Sequence, residues 1–322
     1  NNQLGNATGG LVTFSGPLNS NNPLLGISNT GGTAAAVLTI QSNDFRGITY
    51  TNAGVGTNTY IINSATTLSQ NISTNTFTAL SINSTGPVLF ISNNVSLGAT
   101  GSKIINDNVV VTSYTKAIGG AGVSYFYYDL GTSVAGSTIT NDGNNFSNVT
   151  IANPLIGWNN QDGNGTAPTK NITNNTFNNI TGNGGQLIIV MQVSKGTGNI
   201  SNNSITNSSN NFNLTALTVT LGSFNIHTNN VNTITATTTG TTGVFGISIA
   251  NGTAHNVYNN TVHTISSSVS AHLVMGISVT FGTTINVYKN KVYGISNTFN
   301  PLVSGGAYGI SITGGTTVTM SN

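Results

Sequence analysis

Acid–base cleavage of a glycosidic bond needs paired carboxylates, one to protonate and one to activate water or attack. This chain has five Asp and no Glu. Asp44, Asp107, Asp129, Asp142 and Asp162 are scattered, and the sole arginine, Arg46, is far in sequence from most of them. No catalytic residue and no cofactor are therefore expected. Asn160-Gln161-Asp162-Gly163-Asn164-Gly165 is as oxygen-rich as a calcium loop. A hard divalent cation takes about six to eight oxygens, so one carboxylate is a thin supply and a plain Gly/Asn turn is the better reading. His227, His255, His263 and His272 lack close metal-ligand spacing, and no metal is expected. Cysteine is absent, which removes disulfides and thiolate metal sites.

The elements that would position such residues follow from composition and repetition. Asn (52), Thr (51) and Gly (40) dominate the 322 residues, and all three are poor formers of helix interiors. Charged residues are 4%, so a helical bundle or coiled coil lacks its Glu and Lys. A net charge of +2 without clustering argues against nucleic acid as a partner. With 37% apolar residues the chain can build a core, which excludes a charged disordered tail. The most apolar stretch, Leu187 to Val193 with Gln192 inside it, is too short to span a bilayer. The N-terminal residues lack a basic stretch followed by an apolar one, so any export signal is expected to be removed or to lie outside this segment.

One pattern recurs along the chain: apolar, two residues, Asn, one residue, apolar. Clear copies are Ile72-Asn75-Phe77, Ile172-Asn175-Phe177, Ile226-Asn229-Val231, Val257-Asn260-Val262 and Val287-Asn290-Val292. Less regular copies centre on Asn43, Asn108 and Asn203, and looser ones on Asn22 and Asn144; successive copies lie 21 to 36 residues apart. A second pattern precedes the Asn in register: Phe245-Gly246-Ile247-Ser248-Ile249, Met275-Gly276-Ile277-Ser278-Val279 and Tyr308-Gly309-Ile310-Ser311-Ile312. Each repeat reads as three short strands separated by Gly, Thr and Asn turns. Such strands bury a face only by stacking coil on coil, so the expected fold is all-β. It is a single-stranded right-handed parallel β-helix over residues 1–322, with about ten coils spanning roughly 50 Å at about 4.8 Å per coil. The repeated Asn is expected at one bend, in the left-handed conformation that Asn tolerates, with its amide bonded to the coils above and below.

Asn256-Val257-Tyr258-Asn259-Asn260-Thr261-Val262 resembles the repeat of the pectate-lyase-like superfamily of parallel β-helices. The resemblance covers essentially the whole chain and implies the fold, while none of that family's enzymatic residues can be carried over. The Asn/Thr/Gly bias also resembles large secreted or surface-anchored proteins of Bacteroidota-type bacteria.

In the repeat register the five Asp fall in four or five coils, mostly in turns, and no two at equivalent positions of adjacent coils. His227 aligns with Tyr258 and Tyr288 on an outward column. Alternation sends Thr218/Thr220, Ser248/Ala250, Ser278/Thr280 and Ser311/Thr313 outward on four consecutive coils, a flat hydroxyl face of the kind that ice-binding β-helices use. Tyr125-Phe126-Tyr127-Tyr128 must expose some rings, and with Trp158 one coil later it offers either an aromatic platform suited to sugar rings or protein partners, or a surface that packs against a neighbouring subunit or a covering loop. Neither Asn6 to Ile27 nor Tyr308 to Asn322 reads as a cap. Unpaired strand edges template association, so head-to-tail self-association or continuation in a longer chain is expected. The functional expectation is a non-catalytic extracellular or cell-surface rod: an adhesin stalk, fibre or filament subunit. Ligand binding to ice or polysaccharide is the alternative, and a polysaccharide lyase or hydrolase the third reading.

Overall fold

A computed structural model describes residues 2–5, 13–14, 21, 23–50, 54–237, 240, 242–269, 271–299 and 305–321. Asn22, Asn322 and most of the Asn6 to Ile27 stretch lie outside the described residues. Every strand pairing is parallel, and the strands stack as a β-solenoid of about nine turns. One side is a ten-stranded sheet running from Leu25–Asn29 to Gly306–Ile312. A second ten-stranded sheet runs from Val37–Gln41 to Thr317–Ser321. Ten stacked strands at about 4.8 Å each span about 43 Å.

The third side changes along the rod. Early coils break it into two short strands, such as Thr76–Thr78 and Ser81–Ile82. From Ser204–Asn210 onward one seven-residue strand takes their place, as in Asn230–Ala236 and Thr261–Ser267.

Strand alternation builds the interior. In the second sheet Ile72, Ile105, Ile172, Ile200, Ile226, Val257 and Val287 occupy one inward column, with Asn141 the polar exception. Each buried aliphatic side chain contributes about 1.5–3 kcal/mol of transfer free energy, and the core runs unbroken from Leu24 to Val287.

The recurrent Asn forms one hydrogen-bonded column. Asn43, Asn75, Asn108, Asn144, Asn175, Asn203, Asn229 and Asn260 each donate a backbone N–H and a side-chain Nδ2 to Oδ1 of the Asn one coil later. Asn290 closes the described column and Asn2, donating to Asn43 Oδ1 at 3.0 Å, begins it. The second Nδ2 hydrogen bonds back to a main-chain carbonyl of the preceding coil, for example Asn229 to Ile200 O at 2.9 Å.

The left-handed residue is not the ladder Asn. It is the residue before it: Ser42, Thr74, Asp107, Gly143, Asn174, Asn202, Thr228, Asn259 and Lys289 all have φ between 53° and 65°. The preceding residue makes the turn, which leaves the Asn side chain inside and its N–H aimed along the rod. Four of these residues are not Asn, Asp or Gly, so coil stacking holds them against a local cost of about 1–2 kcal/mol each.

Candidate functional site

Three clusters of side chains exceed the background of the repeat. The first is the hydroxyl column. Thr218, Ser248, Ser278 and Ser311 are strand neighbours on consecutive coils of the first sheet, and Thr220, Thr280 and Thr313 follow them at the strand ends. The register matches the sequence expectation, but the openness does not. Thr218 is 7% exposed and Ser278 3%, and only Thr313 among the seven is exposed. Thr280 Oγ1 donates to Ile249 O and Ala250 O, so its hydroxyl is engaged within the fold. Beside the hydroxyls runs an outward apolar column that includes Ile189, Phe245, Met275 and Tyr308. The face is therefore mixed, not a flat hydroxyl array.

The second cluster is aromatic, and here the sequence reading is corrected. Tyr127 and Trp158 are fully buried, their rings 4.8 Å apart, and Trp158 Nε1 donates to Asn141 Oδ1 at 3.1 Å. Strict alternation fails because the strand Tyr125–Asp129 sends two consecutive residues, Phe126 and Tyr127, inward. Tyr125 and Tyr128 stay half-buried on the outside with centroids 4.6 Å apart. No platform of Tyr125, Tyr127 and Trp158 exists.

The third cluster is ionic and internal. Lys103 points inward from the strand Ser102–Asn106. Its Nζ lies 2.9 and 2.8 Å from Asp129 Oδ1 and Oδ2 and 2.7 Å from Asp162 Oδ2. All three side chains have no solvent exposure. Tyr127 OH and Gly131 N–H donate to Asp129 at 2.7 and 3.1 Å. Ser133 N–H and Oγ donate to Asp162 at 2.7 and 2.6 Å. Asp162 thus turns away from its oxygen-rich loop into the core, and two aspartates that looked scattered share one lysine. Burial, with the neighbouring Asp162 charge adding, pushes the Asp129 carboxyl above its ordinary value against the pull of Lys103. Burial also acts upward on Asp162, but the Lys103 ammonium and the hydrogen bonds from Lys103 and Ser133 outweigh it and hold the carboxyl below the usual range.

Lys170 lies in the same inward column as Lys103, two coils on. Its Nζ donates to Asn160 Oδ1, Asn160 O and Ser194 O, and burial first of all lowers it to about 7. Of the other carboxylates, Asp44 pairs with Arg46 at 2.8 Å and Asp142 accepts from Thr173 and Asn174.

The histidines divide. His227 stacks on Tyr258 and Tyr258 on Tyr288 along the outward column, with centroids 4.8 and 5.0 Å apart. His255 is buried. Its Nδ1 accepts from Phe224 N–H and its Nε2 faces Asn251 O, which fixes a neutral ring. His272 is buried against Ser267 Oγ. Among the described residues no three His, Cys, Asp or Glu gather as metal ligands.

Sequence reasoning missed three groupings. One is the Lys103–Asp129–Asp162 cluster. Another is a second inward amide run, Asn29 to Asn63 to Asn93, linked at 2.8 Å per step. The last is an outward amide row over Asn171, Asn199, Asn225, Asn256 and Asn286. Only that last one carried a signal, an Asn two residues before His227, Tyr258 and Tyr288. No protein-family model, curated protein or solved structure matches the chain.

Proposed function

We propose that the chain is a non-catalytic structural rod of the bacterial cell exterior, serving as an adhesin stalk, surface fibre or filament subunit. The observation that carries this reading is the uninterrupted coil-to-coil bonding: two ten-stranded sheets and an Asn column that reaches from Asn2 to Asn290. Such a frame resists bending and offers proteases few open segments. The carboxylates support the same reading, since Asp129 and Asp162 are spent inside on Lys103. The Asn/Thr-rich composition, which resembles that of secreted surface proteins, supports an exterior setting for the rod.

The last described coil leaves Ile295, Ile310 and Ile312 only partly covered. We assign their cover to a second copy stacked head to tail. Ligand binding is the second reading, and it rests on the hydroxyl register; the burial of Thr218 and Ser278 weakens it.

Negative-stain microscopy of the concentrated protein is expected to show straight rods that join end to end. Release of reducing ends or unsaturated sugars from a polysaccharide panel would overturn the non-catalytic assignment. Thermal hysteresis in freezing solutions would move the function to ice binding.

A further inference from the structure

The Lys103 cluster holds three groups that an ion pair alone does not require together: a dry amine, a carboxyl with hydrogen-bond donors on both oxygens, and a second carboxylate on the same nitrogen. Lys103 Nζ is nearly equidistant from the two oxygens of Asp129, which puts Cγ within about 3.3 Å, the separation of a near-attack pair. We propose that Lys103 and Asp129 condense into a side-chain amide, a covalent isopeptide cross-link between two coils, with Asp162 as the catalytic proton carrier.

The step balances without any added reagent. It starts from the Lys103 ammonium, the neutral Asp129 acid and the Asp162 carboxylate. Asp162 Oδ2, 2.7 Å from Nζ, removes one proton and frees the lone pair. The amine attacks Cγ of Asp129, and the negative charge that develops falls on oxygens already held by Tyr127 OH and Gly131 N–H. Asp162 passes its proton to the departing hydroxyl and takes a second proton from the nitrogen. The C–OH bond breaks, one water leaves, and the amide nitrogen keeps one hydrogen. Asp162 ends protonated.

Two features of the surroundings favour this course. Burial pushes Asp129 towards the neutral acid, while Lys103 and Ser133 hold Asp162 ionised, so the electrophile and the base are set apart by environment. The product also carries no charge where the reactants buried an ion pair, and such pairs are costly to desolvate. Lys170 is an internal control. It shares the burial and the column, but the side-chain group it meets is the Asn160 amide, and no carboxylate holds its nitrogen. The inference is independent of the proposed function, since a cross-linked coil is compatible with any role of the rod.

The test is the intact mass of the purified full chain under denaturing conditions. The expected result is a mass about 18 Da below the sequence value, one water. Trypsin should then leave Lys103 uncut and release one branched product that joins the Lys103 and Asp129 peptides. Lys170 should be cleaved normally. Lys103→Arg, which keeps the charge without a nucleophilic amine, is expected at full sequence mass. Asp162→Asn is expected to fold around the same cluster and to stay unlinked. A wild-type chain at sequence mass, with the Lys103 amine acylated after unfolding, would overturn the proposal. A mass deficit that maps to any other residue pair, or to a cyclised Asp or Asn, would overturn it equally. A link that persists in Asp162→Asn would overturn the proton-carrier assignment.

Discussion

The two halves of the rod fill the same frame differently. From Phe45 to Phe177 one inward column is largely aromatic, with Phe45 on Phe77 at 5.2 Å and Phe77 against Phe146 at 6.1 Å. From Ile205 the same column continues as Val231, Val262 and Val292. A neighbouring column reads Asn63, Asn93, Asp129, Asn160 and then Val193, Val219, Ile249, Val279. At the bend of the first sheet, Tyr60, Phe90 and Phe126 give way to Gly246 and Gly276. A Cβ on Gly276 would meet Val292 Cγ1 at 2.4 Å, so the narrower half has no room there. The Asn column runs through both halves unchanged. Backbone pairing and the amide ladder therefore set the frame, and the interior varies within it.

The largest expected effect lies in the polar half. Measured against the unlinked Lys103→Arg chain, Lys103→Ala leaves Asp129 and Asp162 buried without a cation, and a loss of about 3–5 kcal/mol is expected from urea unfolding. Val219→Ala, at the position where the aliphatic half replaces Asp129, should cost only about 2 kcal/mol. Equal losses at the two sites would erase the distinction between the halves.

The ladder should make no such distinction. Asn75→Ala and Asn229→Ala each remove the acceptor of the preceding coil and strand an interior N–H. About 2–3 kcal/mol is expected for each, from the same titration. A much smaller cost in either half would mean that the ladder frames only one of them.

The interiors should also differ in their response to pH. Unfolded, Lys170 keeps its proton up to the ordinary lysine value; folded, burial lowers it to about 7. In that window the unfolded chain binds more protons, so stability rises with pH from about 7 towards about 10. Lys116, lowered by burial to about 8, adds to this alkaline arm. In the aliphatic half, burial holds His255 below its ordinary value despite hydrogen bonds that act the other way. The unfolded ring charges first, so stability falls as pH drops below about 6.5. Thermal melts across pH should show Lys170→Met reducing the alkaline rise and His255→Gln reducing the acid loss. A swap of these two outcomes would refute the assignment of each arm to its half.

How much of this was legible in the sequence follows from what repeats. Asn75, Asn175, Asn229, Asn260 and Asn290 recur at fixed offsets from apolar anchors, so the parallel stack and the ladder were readable. Asn144 looked loose because its coil is 36 residues from Asn108, yet it occupies the column fully. Lys103, Asp129 and Asp162 do not recur. They sit 26 and 59 residues apart and meet only across the interior, between sheets whose facing registers no periodicity encodes. Tyr127 misled for a different reason: the aromatic run had to expose some rings, and two inward residues in succession left Tyr125 and Tyr128 outside and Tyr127 within. The left-handed turn was displaced by one position, because spacing locates the ladder Asn but says nothing of which peptide bends.

The ladder has one more property. In every described step from Asn43 to Asn290 the side-chain carbonyl belongs to the later coil and the donors to the earlier one. The amides are thus aligned head to tail, and chains of hydrogen bonds in a dry interior polarise one another. The rod is a vector and not a symmetric bar. An inverted coil would set like against like at its join, N–H against N–H on the later side and carbonyl against carbonyl on the earlier side, so any coil added to this column must arrive with the same electrical sense as those already stacked.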